Sequence, residues 1–228
     1  MNPKKWKKFS NNYDKDVISI TKFPNKRKSI LKRVLKGNVL NLGTGPTSYL
    51  NKELVKDNHV TASDWSKEML QKAKSEFTHP NLEYVLTDNR NLVYHEETFE
   101  SVIAINSILP EHQIDVHKMV REAYRVLKTG GRFIALFPSY ECNVQLNENA
   151  NAGIKIDHKE LRCWDTTGWQ CLQSEKSLKK VLAEAGLSKI EYVKSYFDSK
   201  EEIAEQTRLY GFDASKHLRY EYLVVAMK

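Results

Sequence analysis

The sequence predicts an α/β protein built on a doubly wound, mostly parallel sheet of seven strands. Three observations carry that prediction. Short apolar, β-branched runs alternate with amphipathic segments through the first two thirds of the chain. One of these runs, Val39 to Leu42, ends in the glycine turn Gly43-Thr44-Gly45. Two acids, Asp64 and Asp88, directly follow later runs, where the carboxyl ends of parallel strands meet a ligand.

The elements follow in order. Residues 9–20 read as a short helical lead-in. Ser29 is positioned to cap a helix whose Ile30, Leu31, Val34 and Leu35 share a face, with Gly37 ending it. After the first strand and the glycine turn, residues 51–56 continue as helix and 59–63 form the second strand. Met69, Leu70, Ala73 and Phe77 line one side of a helix over 66–77, and 82–86 is the third strand. The continuous β-branched run at 101–105 suits a fourth strand buried on both faces. A helix over 117–127 is expected to stop at Thr129-Gly130-Gly131, followed by a fifth strand at 132–137.

Residues 139–173 break the alternation. They are polar and hold His158, Trp164, Trp169 and all three cysteines, Cys142, Cys163 and Cys171. A lid-like insertion after the fifth strand is the expectation. A helix over 175–185 ends at Gly186, a strand lies near 190–193, and 220–227 is β-branched and aromatic enough to close the sheet. There is no internal repeat, so one domain over 1–228 is expected, with 1–36 as a basic helical arm.

Composition narrows the function classes. The chain has 228 residues, 40% hydrophobic and 29% charged, which suits an ordinary globular protein with a sizeable core. No apolar run approaches the roughly 18 residues of a membrane helix, and residues 1–8 are basic without the apolar stretch of a secretory signal. Cytoplasmic localisation and no membrane contact are expected. Three cysteines without Cys-x-x-Cys spacing argue against a disulfide framework or a metal site. The net charge of +7 is concentrated: residues 1–36 hold 12 Lys or Arg against Asp14 and Asp16, and the rest of the chain holds 24 bases against 27 acids. That arm reads as a solvated helical face or as a nucleic-acid contact.

Asp64 lies 21 residues past Gly43, the spacing at which a carboxylate accepts from ribose hydroxyls. The loop lacks a third glycine, Pro46 has no N–H to offer a pyrophosphate, and there is no Gly-Lys-Ser/Thr. Those features fit an adenosine cofactor without phosphate, for which S-adenosylmethionine is the common candidate.

Five segments in order resemble the class I S-adenosylmethionine-dependent methyltransferases: Asn41-x-Gly43-x-Gly45; Ser63-Asp64-Trp65-Ser66-x-Glu68-Met69-Leu70; Thr87-Asp88-Asn89; Phe99-Glu100-Ser101-Val102; and Arg125 to Arg132. The resemblance covers about residues 35–138 and implies a Rossmann-like fold and S-adenosylmethionine as cofactor. It places Gly43, Thr44 and Gly45 under the cofactor and Asp64 on the ribose. Trp65 packs on the adenine, Asp88 accepts from the adenine amine with the Asn89 backbone nearby, and Asn106 faces the methionine and the substrate. Tyr13, in a Tyr-Asp segment, closes over the cofactor. Gly45-Pro46-Thr47-x-Tyr49 is similar to the loop of nicotinamide and arylamine N-methyltransferases, which gives Tyr49 the methionine carboxylate. Asn41 stands where an acid is usual.

Methyl transfer from a sulfonium needs an aligned nucleophile more than an acid–base relay, so no catalytic residue is named. Substrate candidates are Glu111, His112, His158, Trp164 and Trp169. Transfer to N, O or S of a small molecule is the leading expectation. An RNA methyltransferase using the basic arm and a non-catalytic cofactor binder are the alternatives. Oligomeric state is not legible.

Overall fold

The computed structural model describes Tyr13 and residues 17–165 and 168–228. Part of the basic arm, residues 1–12 and 14–16, therefore lies outside the described residues, and the predicted lead-in helix falls largely there. A 3-10 turn at Ile20–Lys22 leads into α1 (Pro24–Leu31). The chain continues through β1 (Asn38–Leu42), α2 (Tyr49–Leu54), β2 (His59–Asp64), α3 (Lys67–Glu76) and β3 (Leu82–Leu86). Then come β4 (Phe99–Ile105), α4 (Gln113–Val126), β5 (Leu127–Pro138) and α5 (Tyr140–Ala150). Three short strands follow, β6 (Lys155–Asp157), β7 (Arg162–Asp165) and β8 (Gly168–Cys171). The chain ends with α6 (Glu175–Glu184), β9 (Ser188–Tyr196), α7 (Lys200–Tyr210) and β10 (Tyr220–Met227).

The seven-stranded sheet has the order β3-β2-β1-β4-β5-β10-β9. Strands β1 to β5 pair in parallel, and β10 is antiparallel to both β5 and β9. The order reverses between β1 and β4, which opens a crevice at their carboxyl ends. Because β10 runs the other way, its first residues, Tyr220 and Glu221, sit beside Pro138 at that same end. The period of two sorts the central strands into two cores. Leu40, Leu42, Val102, Ala104, Phe133 and Ala135 face α4 and α6. Val39, Ile103, Ile134 and Leu136 face the 3-10 turn, α1 and α2.

Three local expectations change. Helix α1 begins at Pro24 rather than at a Ser29 cap, because the fixed φ of proline suits the first helical position. Ser29 Oγ instead accepts from Arg33 at 3.1 Å. Thr129-Gly130-Gly131 does not separate α4 from β5 but forms a bulge inside β5, where the register jumps from Phe99↔Leu127 to Ser101↔Arg132. A side chain on Gly131 would come within 2.8 Å of the Lys128 carbonyl, so the bulge needs glycine there. Helix α7 was not expected. Its Ser199 and Glu202 form a reciprocal capping box.

The 139–173 insertion is helix α5 followed by the antiparallel sheet β6-β7-β8. Gln113, at the start of α4, fastens it. Its amide nitrogen donates to the carbonyls of Glu160, Leu161 and Leu172, and its oxygen accepts from Gln173 at 3.0 Å. No helix among the described residues is long and apolar enough to cross a membrane.

Candidate functional site

The glycine turn is held from three sides. Gly43 takes φ +61°, and a side chain there would stand 2.4 Å from Ser107 Cβ, so the loop after β4 packs directly on the turn. Thr44 N–H donates to the Ser63 carbonyl at 2.8 Å. Asn41, where an acid is usual, donates to Thr44 Oγ1 (3.1 Å) and Asn51 Oδ1 (2.8 Å), and Asn51 donates to Thr44 at 2.9 Å. A neutral amide triangle thus anchors the loop. Gly43→Ala is expected to cost about 2–5 kcal/mol, the sum of a left-handed backbone penalty and overpacking, read as a lower urea midpoint.

Asp64, at the end of β2, is 6% exposed. Its Oδ2 accepts from Gly45 N–H at 3.0 Å and its Oδ1 from Ser66 N–H at 2.9 Å. Burial raises its pKa to about 6, against the pull of the backbone N–H groups of Ser66, Gly45 and Trp65. The two oxygens retain acceptor capacity beyond these backbone N–H groups. Trp65 is half-buried beside it.

Asp88 behaves differently. Arg90 grips both of its oxygens, with the shortest contact 2.6 Å, and holds the carboxyl below its usual range. Asn89 is buried. Its amide nitrogen donates to the Ser107 carbonyl at 3.4 Å, and its Oδ1 has no partner among the described residues. Asn106 follows β4 with φ +49°, a conformation asparagine tolerates. Its Nδ2 donates to Glu221 Oε2 at 3.0 Å, so its unpartnered Oδ1 is the end left over.

These groups line one cavity of about 640 Å³, within the range of small-molecule sites. Tyr13, Gly43, Thr44, Gly45, Asp64, Trp65, Asp88, Asn89 and Asn106, the residues singled out for the cofactor, all border it. The Tyr13 hydroxyl would be 3.7 Å from a side chain placed on Gly45, so Tyr13 covers the turn.

The structure separates other candidates from the cavity. Tyr49 is 40% exposed at the first position of α2 and does not line it, because the turn directs Thr47 and Leu50 inward instead. Glu111 and His112 lie outside it. Glu111 faces Arg162 at 3.9 Å, and His112 is exposed before α4. His158 is exposed and bonds the Tyr140 hydroxyl at 2.8 Å through Nδ1. Trp164 and Cys163 border the cavity. Trp169 does not, and stacks edge-on against Trp164 with Arg162 over its ring at 4.8 Å. Cys142 and Cys171 are buried away from it, and burial pushes the Cys171 thiol up to about 12.

The sequence reading missed the opposite wall. Gln206 and Tyr210 of α7, together with Arg219 and Glu221 at the start of β10, line the cavity too. Arg219 donates to Glu221 Oε1 at 3.1 Å and to the Tyr210 hydroxyl. The Ser199-x-x-Glu202 spacing was a readable signal for the helix, although not for its position on the cavity.

The residues fit an adenosine-bearing ligand without phosphate. The unpaired groups around the turn, Asn89 Oδ1, Asn106 Oδ1 and the Ser107 hydroxyl, can all accept, matching ribose hydroxyls and an exocyclic amine. The lining cations among the described residues, Arg90 and Arg219, are held by Asp88 and Glu221, so no free cation waits for a pyrophosphate. A sheet of this order with such a site at its switch point is a Rossmann-like arrangement that suits a ligand of this kind.

Comparison with known proteins bears on the central part of the chain. Residues 39–131 match the family described as a methyltransferase domain. A ubiquinone/menaquinone biosynthesis C-methyltransferase, UbiE of Desulfotalea psychrophila, is 34% identical over 102 residues, 44% of this chain and 41% of its own. The chain spans under half the length of the curated relatives it matches. An S-adenosylmethionine-dependent methyltransferase of Thermotoga maritima, described as a possible histamine N-methyltransferase, superposes over 99% of both chains with a TM-score of 0.66 and 17% identity. Phosphoethanolamine N-methyltransferase 2 of Haemonchus contortus, in complex with S-adenosylmethionine, superposes over 90% of this chain and 52% of its own (TM-score 0.65, 16% identity). These two likenesses concern the fold.

Proposed function

We propose that the protein transfers a methyl group from S-adenosylmethionine to a nitrogen, oxygen or sulfur of a small molecule held in the same cavity. One observation carries this reading: the glycine turn with Asp64, and the wall of Gln206, Arg219 and Glu221, border a single space. Asn106 stands between them, at the end of β4 and bonded to Glu221.

When bound, S-adenosylmethionine supplies an electrophilic methyl on a sulfonium. Asp64 would hold the ribose, Trp65 the adenine face, and the Gly43 to Gly45 backbone the methionine side. Asn106 Oδ1 would accept a hydrogen bond from the incoming nucleophile and orient its lone pair. The wall built by α5 and β7 would exclude water, so alignment supplies most of the rate.

Charge pairing favours a small acceptor over RNA. Lys22, Lys26, Arg33 and Lys36, from the described part of the basic arm, each face a carboxylate of the body. UbiE is named as a C-methyltransferase, but its match spans only 44% of this chain, which makes a carbon acceptor an outcome of the test.

S-adenosylhomocysteine at about a hundred times its Kd is expected to raise Tm by about 6 °C, and NAD to leave it unchanged. Methyl-labelled S-adenosylmethionine should then label a component of a small-molecule extract. Label appearing only in RNA, with binding that weakens steeply with salt, would refute the small-molecule reading. A Tm shift without any labelled acceptor would favour a non-catalytic binder.

A further inference from the structure

The wall opposite the glycine turn contains a group that the cofactor does not explain. Gln206 is 1% exposed, borders the cavity, and neither its Oε1 nor its Nε2 has a hydrogen-bond partner among the described residues. A buried amide left unmet on both atoms is costly, and in a cavity wall it marks the place of a ligand group. The topology puts it on the acceptor side. Strand β9 ends beside Tyr220 at the carboxyl end of the sheet, and α7 follows it directly in the chain. Asp64 and the turn belong to the β1-β2 half.

The surroundings specify the chemistry. Among the described residues, three acids of this wall are already matched: Glu202 with Lys26 at 3.6 Å, Glu205 with Lys22 at 2.8 Å, and Glu221 with Arg219 at 3.1 Å. A charged ligand group would find no counter-ion there. Gln206 itself offers one donating and one accepting atom in a plane. Phe197, Tyr210 and Phe212 also border the cavity, giving that side flat apolar surface. A carboxylate would satisfy Nε2 and oppose Oε1, and an ammonium would do the reverse. A group with a donor beside an acceptor satisfies both.

We propose that Gln206 is the residue that selects the methyl acceptor, and that it reads a neutral, planar amide or lactam in preference to a carboxylate or an amine. This rests on the methyl-transfer reading and deepens it. Gln206 would act by binding, at a distance from the transferred methyl.

The test uses the full-length protein saturated with S-adenosylhomocysteine and three probes on one ring: benzamide, benzoate and benzylamine. Benzamide is expected to bind about tenfold tighter than the other two, and to shift the side-chain amide resonance assigned to Gln206 by its absence in Gln206→Met. In Gln206→Met the preference should vanish, with S-adenosylhomocysteine affinity unchanged and Tm equal or higher, because a buried unpaired amide has been removed. Equal binding of the three probes, no binding of any, or a preference that survives the substitution overturns the proposal. Failure of S-adenosylhomocysteine to bind the wild-type protein would instead overturn the methyl-transfer reading, so the two failures are distinguishable.

Discussion

Asp64→Asn is expected to weaken S-adenosylhomocysteine binding about a hundredfold at pH 7.5 and to abolish its pH dependence between pH 5 and 7.5. In the wild-type protein each carboxylate oxygen accepts a backbone N–H, from Gly45 and Ser66, and the two retain acceptor capacity for the ribose hydroxyls. An asparagine must turn an NH2 toward one of those N–H groups and loses one ribose contact. Two charge-assisted hydrogen bonds lost or opposed, at about 1.5–3 kcal/mol each, set that magnitude at its lower end.

The sign of the pH effect follows from burial. The native pKa is about 6 against an ordinary 3.8, so the native state holds this proton more tightly than the unfolded chain does. The resulting stabilisation is complete at low pH, and it is lost as pH rises from about 4 through 6, about 3 kcal/mol in all. Ionised Asp64 thus burdens the free protein, and two ribose hydroxyls relieve that burden. Affinity should therefore fall about tenfold from pH 7.5 to pH 5, where most of the carboxyl is protonated. Calorimetric titration at both pH values checks this. If Asp64→Asn keeps the wild-type affinity, or the pH dependence persists in it, Asp64 does not hold the ribose.

The glycine-turn side of the cavity was legible because its determinants are local. A glycine turn, a following helix and an acid at a fixed distance are consequences of consecutive residues, and β1, β2 and β4 stay close to the predicted ranges. Asp88 shows the limit of such reasoning. Its place at the end of β3 was readable, but its capture by Arg90, two residues on, depends on side-chain geometry that spacing does not specify. Tyr49 failed for a related reason: the residue type matched a loop pattern while the helix start left it facing outward. The acceptor half was not legible because its parts meet only after folding. Asn106 and Glu221 are 115 residues apart, and β10 reads as a closing strand with no hint that its second residue sits at the mouth of the crevice. Helix α7 had its capping box in plain view, yet the cavity position of Gln206 depends on the reversed direction of β10.

Glu221→Ala is expected to destabilise the protein by about 3–5 kcal/mol, the usual cost of leaving a buried ionic partner alone. Glu221 is 1% exposed, and Arg219 packs over the rings of Phe197 and Tyr210. Burial works to lower the Arg219 pKa, but its neighbours Tyr210 and Glu221 outweigh it and raise the value, so the guanidinium stays charged. Removing the carboxylate strands that charge. Removing both charges does not, so Arg219→Met with Glu221→Leu should cost well under the sum of the single substitutions. Urea denaturation of the four proteins measures the coupling, and additive losses would show that the pair is not a unit. A hydrophobic pair of similar volume could stabilise this corner equally well, so stability alone does not explain a carboxylate here. The bond to Asn106 does. A carboxylate only accepts, so it compels Asn106 to turn its NH2 toward Glu221 and leaves its oxygen as the unpartnered end. The double variant should therefore recover stability while still binding S-adenosylhomocysteine, and lose methyl transfer to the acceptor, because nothing then dictates which end of the Asn106 amide the nucleophile meets.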